Sequence, residues 1–134
     1  MNTAGDPEMR ATPEGLLEAY LEAFRARDVG RCVSFFHEDA TIDFQVGTYR
    51  GRKSIEEWHN ERFAAGLNLD RIDRTTVSGN TVTIDATVSS SRLAAFRIKS
   101  LGARVMIQFD TEGKVKYAKM SARASNPFKL LHSE

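Results

Sequence analysis

Apolar residues early in the chain recur at three- and four-residue intervals, the spacing that puts them on one face of an α-helix. The first such run follows Thr12-Pro13-Glu14, a sequence typical of a helix N-terminus, and predicts a helix that ends near Arg27. Asp28 can cap a second, short helix, and Ser54 is the predicted start of a third. The apolar side of this third helix is formed by Ile55, Trp58, His59, Arg62 and Phe63.

Between the second and third helices the pattern changes to a strict alternation of apolar and polar residues, which predicts a strand over residues 40–46. The alternation places Phe44 on the core face and Asp43 on the opposite face. His37, Glu38 and Asp39 precede this strand, and we interpret them as a structural corner at the end of the second helix. His37 would there contact helix carbonyl groups.

The second half of the chain is dominated by alternation and by turn residues, which predict antiparallel strands. Strands are expected over residues 69–78, 81–89, 103–109 and 114–123, whereas residues 92–100 fit either a helical turn or a strand. One face of these strands is almost wholly apolar and consists of Val82, Ile84, Ala86, Val88, Val105, Ile107, Ala118, Met120 and Ala122.

Three helices followed by a meander of strands predict an α+β fold, with the helices packed on one face of a curved, mainly antiparallel sheet. The chain has 134 residues, a usual size for one domain. We expect this domain to comprise residues 12–126, with loosely held tails at residues 1–11 and 127–134.

The composition of the chain argues against several classes of protein. The net charge is +1, the single Cys32 can form no internal disulfide, and no apolar run reaches the roughly 20 residues of a membrane span. The first residues lack the apolar core of a signal peptide, so we expect a soluble, cytoplasmic protein. No His/Cys pair with ligand spacing and no glycine-rich phosphate loop occurs, so we expect no metal and no cofactor.

Three segments carry a family resemblance, namely "LLEAYLEAFRARDVGRCVSFFHEDATIDF", "YRGRKSIEEWH" and "VMIQFDTEGKVKYAKM". Their order and spacing resemble the nuclear transport factor 2-like superfamily, which includes ketosteroid isomerases and SnoaL-type polyketide cyclases. The resemblance implies a cone-shaped domain with a pocket between the helices and the strongly curved sheet, and a homodimer formed through the outer sheet face. It does not imply one reaction, because this fold hosts both enzymes and non-catalytic binding modules.

The resemblance also suggests site residues. Tyr20 matches the isomerase tyrosine that donates to the substrate oxyanion, and His59 matches the tyrosine that hydrogen-bonds to it, so we hypothesise a Tyr20–His59 pair. The position of the isomerase general base holds Phe44, and that of its oxyanion-stabilising acid falls near Val105, so neither role is available. Asp43 is a candidate base only if a one-residue slip of its strand turns it inward. The expected apolar pocket wall consists of Phe24, Phe44, Trp58, Phe63, Ile84, Val105 and Met120.

Two functions stay open at this point. The first is an isomerase, dehydratase or cyclase that acts on a small apolar molecule through Tyr20, His59 and Asp43. The second is a non-catalytic dimeric module that binds an apolar ligand or a protein. The basic residues Arg104, Lys119 and Arg123 on the outer sheet face raise the idea of nucleic-acid contact, but the resemblance assigns that face to the dimer, so we expect no nucleic-acid partner.

Overall fold

The computed structural model describes residues 12–123, in which helices pack on one face of a six-stranded sheet. The helices are α1 (Pro13–Arg25), α2 (Val29–Ser34), α3 (Arg52–Ala64) and α4 (Ser91–Ala95). None of the helices in this described part is long and apolar enough to cross a membrane. The strands are β1 (Phe36–Phe44), β2 (Gly47–Arg50), β3 (Asn68–Ser78), β4 (Thr81–Ser89), β5 (Leu101–Phe109) and β6 (Val115–Ala122).

The strands lie in the order β2-β1-β6-β5-β4-β3. All neighbours are antiparallel except β1 and β6, which run parallel and join the first strand of the chain to the last. The predicted α+β class, with helices on one side of a curved and mainly antiparallel sheet, is therefore confirmed. The predicted tails at residues 1–11 and 127–134 lie outside the described residues, and the domain limits stay a prediction.

The helix starts follow from local hydrogen bonds. The Thr12 hydroxyl accepts from the Gly15 amide at 3.1 Å, and the Asp28 carboxylate accepts from the Arg31 amide at 3.1 Å, as expected of N-cap residues. α3 begins at Arg52 rather than at the predicted Ser54, because the preceding Gly51 turns the chain with φ 86° and serves as the N-cap.

The strand β1 begins at Phe36, earlier than the alternation of apolar residues indicates. Phe36 pairs with Val115 of β6, and a register shift before Thr41 keeps the intervening residues within the strand. The interpretation of residues 37–39 as the end of a helix was therefore wrong. The His37 ring nitrogen Nδ1 accepts from the Asp39 amide at 3.0 Å and caps no helix carbonyl.

Register across the sheet aligns one apolar residue from each of four adjacent strands. Ile84 pairs with Val105, Val105 with Met120, and Met120 with Phe44. Cross-strand partners share a face, so these four side chains form a row on the side that faces α1 and α3. The parallel β1–β6 pairing brings Phe44 beside residues far away in sequence.

Candidate functional site

A cavity of about 390 Å³ lies between the helices and the inner face of the sheet. Its floor is the register row of Ile84, Val105, Met120 and Phe44. Further wall residues on the helices and sheet are mostly apolar and include Leu17, Leu21, Phe24, Phe36, Trp58, Ile107, Phe109 and Val115. All the residues expected in the pocket wall are found there except Phe63.

Phe63 supports the wall from behind. Its ring packs against Phe24 with 4.9 Å between ring centroids, and the Arg27 guanidinium lies over it at 5.3 Å. Phe63 is at the end of α3, where the helical turn directs it toward α1 instead of toward the sheet. The sequence stripe places Phe63 on the correct side of α3 but does not resolve this difference in direction.

Tyr20 and His59 meet through a buried hydrogen bond between the Tyr20 hydroxyl and His59 Nε2, 2.6 Å long. The other ring nitrogen, Nδ1, lies 2.8 Å from the Ile55 carbonyl oxygen. A carbonyl oxygen can only accept, so Nδ1 carries the proton of the neutral imidazole. Nε2 is then an acceptor, and the Tyr20 hydroxyl donates to it.

Burial holds both partners in their neutral forms. His59 is completely inaccessible to solvent, and burial lowers the pKa of its imidazole from 6.5 to about 4, although the bond to Ile55 opposes that shift. Burial, with a smaller contribution from Cys32, raises the pKa of the Tyr20 hydroxyl well above 10.0. Transfer of the Tyr20 proton to His59 is therefore strongly uphill.

The isomerase resemblance implies that Tyr20 donates a hydrogen bond to the ligand, and this arrangement reverses that direction. The only proton of the Tyr20 hydroxyl is used in the bond to His59, so Tyr20 offers lone pairs rather than a donor to a molecule in the cavity. To donate to an oxyanion, the hydroxyl would have to leave His59 Nε2 buried without a partner, at about 1–3 kcal/mol. Tyr20 lines the cavity, whereas His59 lies behind it.

Asp43 does not join this pair. The strand keeps the predicted parity, with Ile42 completely buried on the inner side and Asp43 outside the cavity wall. On the outer face the Asp43 carboxylate accepts from the Tyr117 hydroxyl at 3.1 Å. The one-residue slip that would turn Asp43 inward is absent, and the structure separates this candidate base from Tyr20 and His59.

Within residues 12–123 the cavity wall contains no carboxylate and no imidazole. The titratable wall residues are Tyr20, Arg62 and Arg92, and none of them is a base near neutral pH. The described wall therefore has no residue that could act as the general base of a reaction. The site can exclude water, orient an apolar molecule and hold one hydrogen bond at Tyr20.

Two parts of the wall were not predicted as site residues. Arg62 lies on the apolar side of α3, one helical turn after Trp58. A charged residue on an apolar helix side is unusual, and this feature of the sequence could have identified Arg62 as a wall residue. The short helix α4 contributes Arg92 and Leu93, but residues 92–100 had not been assigned to one type of structure. The amide of Ser91 donates to the carbonyl of Ala65 at 3.1 Å and so joins α4 to the end of α3.

Solved structures with the same fold include an epoxide hydrolase/cyclase-like enzyme and proteins of unknown function. The epoxide hydrolase/cyclase-like enzyme SalBIII, which acts in pyran ring formation in the polyether salinomycin, has a TM-score of 0.74 and 17% identity, over 90% of this chain and 95% of that one. A protein with a ketosteroid isomerase-like fold from Catenulispora acidiphila, in complex with trimethylamine, has a TM-score of 0.67 and 20% identity, over 85% and 88%. An NTF2-like protein of unknown function from Cytophaga hutchinsonii has a TM-score of 0.68 and 13% identity, over 90% and 96%.

At these identities the structural likeness establishes the fold alone. A search of curated proteins gives no match to this sequence. The sequence model of the SnoaL-like domain, however, matches residues 17–118, which cover most of α1, most of the cavity wall and most of the sheet. The chain therefore belongs to the SnoaL-like domain family.

Proposed function

We propose that this protein binds a small apolar molecule in the cavity between its helices and its sheet. The observation that carries the proposal is the wall itself, which joins a floor of four apolar residues to aromatic rings from α1 and α3. Its volume of about 390 Å³ falls in the usual range for small-molecule sites. Burial of apolar ligand surface would supply the binding free energy, and Tyr20 would supply one polar contact.

The orientation of the Tyr20–His59 bond sets which ligands gain from that contact. Since the Tyr20 proton is donated to His59, a ligand hydroxyl or amide hydrogen can donate to the Tyr20 oxygen. A ligand carbonyl at the same place gains nothing from Tyr20. The preferred ligand is thus an apolar molecule with a hydrogen-bond donor at this end.

Thermal denaturation with steroid-like and polyketide-like compounds tests this proposal. A ligand present at about 100 times its Kd should add roughly 2.7 kcal/mol and raise the Tm by roughly 10 °C. Hydroxylated compounds should lose part of this effect in Tyr20→Phe, whereas matched compounds without the hydroxyl should keep it. Equal shifts for both compounds in both proteins would exclude the polar contact, and no shift with any compound would count against the cavity as a binding site.

A second candidate is an isomerase, dehydratase or cyclase, favoured by a buried phenol–imidazole pair at the wall of an apolar cavity. Because the described wall lacks a base, the contribution of such an enzyme would be to exclude water and to hold a flexible substrate near its reactive conformation. Incubation with polyketide-like substrates, followed by chromatography and mass spectrometry, would detect an isomeric product of unchanged mass from an isomerase or cyclase, or a product lighter by one water from a dehydratase. Turnover that requires Tyr20 supports this function, and ligand binding without any product supports the non-catalytic module.

The outer sheet face is the proposed surface of a homodimer. Thr83, Met106 and Lys119 are register partners in its centre, and the Arg104 guanidinium forms two hydrogen bonds to Asp85 beside them, at 2.7 and 3.1 Å. Those bonds lower the pKa of the Asp85 carboxyl and neutralise the charge of this part of the face. A surface whose central arginine is already paired with a carboxylate suits a self-complementary interface better than it suits a polyanion such as nucleic acid.

A further inference from the structure

The cavity that we propose as the binding site has positively charged wall residues but no negatively charged ones among the described residues. Its charged wall residues are Arg62, in the last turn of α3, and Arg92, on α4, and the described wall has no acidic residue to balance them. An apolar cavity with cations only at its wall favours ligands that carry negative charge.

Arg62 is held in place by aromatic rings of the wall. Its guanidinium carbon lies 4.7 Å from the centre of the Phe44 ring and 5.8 Å from that of Trp58, and the side chain is only 17% exposed. Cation–π contacts of this kind fix a guanidinium without using its N–H groups. The charge is therefore positioned at the cavity and shielded from most of the solvent.

The hydrogen-bond donors of Arg62 have no partner among residues 12–123. The nearest carboxylate oxygen, from Glu61, is 3.8 Å from the Arg62 nitrogen, too far for a hydrogen bond. That same Glu61 oxygen accepts from the Tyr49 hydroxyl at 3.0 Å. Arg62 therefore has only a long ion pair to Glu61, and its nitrogens, which solvent can still reach, are available to an acceptor on a bound molecule.

We infer that the molecule bound in the cavity is an apolar acid, whose carboxylate pairs with Arg62 while Arg92 adds to the attraction. A carboxylate matches the planar fork of a guanidinium. A phosphate dianion fits less well, because Arg62 lies at the carbonyl end of α3, where the helix dipole disfavours two negative charges more than one. This inference rests on the proposed binding function and adds the chemical class of the ligand.

Calorimetric titration with molecules that share one apolar chain tests the inference. Dodecanoic acid, dodecanol, dodecylamine and dodecyl phosphate, each below its micelle concentration, have the same number of carbon atoms and carry different head groups. Wild-type protein should bind dodecanoate most tightly, and Arg62→Gln should weaken that binding roughly tenfold or more, the loss expected for a charge-assisted hydrogen bond. Dodecanol should bind Arg62→Gln as it binds the wild type.

Matched variants separate charge from packing. Arg50→Gln removes an exposed arginine of β2 that is not in the cavity wall, and it should leave dodecanoate binding unchanged. Arg62→Lys keeps the positive charge but not the planar guanidinium group, so its affinity for dodecanoate should lie between those of the wild type and Arg62→Gln. Arg92→Gln should weaken dodecanoate binding by a smaller factor, and it provides a further test if Arg62→Gln does not fold.

The outcomes also distinguish this inference from the proposed function. Dodecanol binding as tight as dodecanoate would overturn the anion inference and leave the apolar cavity intact. Tighter binding of dodecylamine or of dodecyl phosphate would overturn the assignment to a carboxylate. Equal losses for the alcohol and the acid in Arg62→Gln would show that Arg62 only covers Phe44 and Trp58. Absence of binding by every chain would overturn both the inference and the proposed function.

Discussion

The contact between Tyr20 and His59 is the residue-scale feature that determines what the cavity offers to a ligand. The Ile55 carbonyl fixes the imidazole tautomer, the tautomer makes Nε2 an acceptor, and that acceptor takes the Tyr20 proton. Both groups are buried, so each depends on the other for its hydrogen bond. The pair contributes to stability whether or not the protein is a catalyst.

Replacing Tyr20 by Phe should lower the free energy of unfolding by about 1–3 kcal/mol, because His59 Nε2 is left buried without a donor. Tyr49→Phe is the matched control, since it removes an exposed bond from Tyr49 to Glu61 and should change stability by less than about 0.5 kcal/mol. Urea denaturation measures both. The double variant Tyr20→Phe/His59→Leu should lose less than the sum of its single changes, and strict additivity would contradict the mutual dependence.

His59 should also make stability depend on pH. Its pKa is about 4 in the folded protein and 6.5 as the reference value, so the unfolded chain binds more protons between these limits. The stabilisation is complete above about pH 6.5 and is lost as the pH falls toward about 4, by an amount on the order of 3 kcal/mol. Denaturation of wild-type and His59→Leu proteins across this range should show a weaker dependence in the variant.

A matched histidine variant makes the pH experiment specific. His37→Gln changes a partly exposed histidine of β1 and should keep the wild-type loss of stability on acidification. If His59→Leu and the wild type lose stability in parallel as the pH falls, the imidazole is not held neutral by its burial.

At the scale of elements, the end of α3 organises one edge of the cavity. The amides of Gly66 and Leu67 donate to the carbonyls of Phe63 and Arg62, each at 3.0 Å, in the pattern of a Schellman motif. Gly66 adopts φ 73°, which a side chain disfavours, and a Cβ there would lie 2.5 Å from the Ser91 hydroxyl. The helix end therefore directs both Leu67 and α4 toward the cavity mouth.

Gly66→Ala should destabilise the protein by about 1–3 kcal/mol through the strained backbone and the contact with Ser91. Gly47→Ala is the control, because Gly47 does not need a positive φ and has no atom within 4 Å of an added Cβ. Chemical denaturation compares the two variants. Equal stability of both would contradict the account of this helix end.

The prediction from sequence succeeded where one local rule decided the outcome. Cap residues gave the starts of α1 and α2, and alternation predicted the inner face of the strands, where the structure has Ile84, Val105 and Met120. It failed at Phe36, because a parallel pairing with β6 extended β1 beyond the alternating residues, and such pairing depends on residues far away in sequence.

The sequence indicated some of the cavity residues but not Arg62, Arg92 or Leu93, and it did not indicate the direction of the Tyr20–His59 hydrogen bond. The stripes of two helices put Tyr20 and His59 on apolar helix sides, and the family resemblance suggested that the two residues meet. The direction of their hydrogen bond depends on the contact between His59 and the Ile55 carbonyl oxygen. That oxygen belongs to the backbone, so the pattern of side chains along the sequence does not predict the contact. The sequence places Arg62 on the apolar side of α3, but it does not show that Arg62 has no hydrogen-bond partner among the described residues, because that depends on the three-dimensional structure.

At the scale of the whole molecule, the two faces of the sheet are expected to have different partners. The inner face, which is apolar, would bind a ligand, and the outer face would bind a second copy of the chain. Met106→Asp places a charge in the centre of the outer face and should convert a dimer to a monomer, as measured by sedimentation velocity. Thr111→Asp, in an exposed turn, should leave the dimer intact, and a wild-type monomer would contradict the proposed interface.

The measurement that tests the central claim most directly compares two tryptophan substitutions on β6. Met120 lies in the cavity floor, whereas Lys119, the preceding residue, lies on the opposite face. In calorimetric titrations with the tightest apolar ligand, Lys119→Trp should bind like the wild type. Met120→Trp should fill the cavity and weaken binding at least roughly tenfold while the protein stays folded. Wild-type affinity in Met120→Trp would show that the ligand binds elsewhere and would contradict the account.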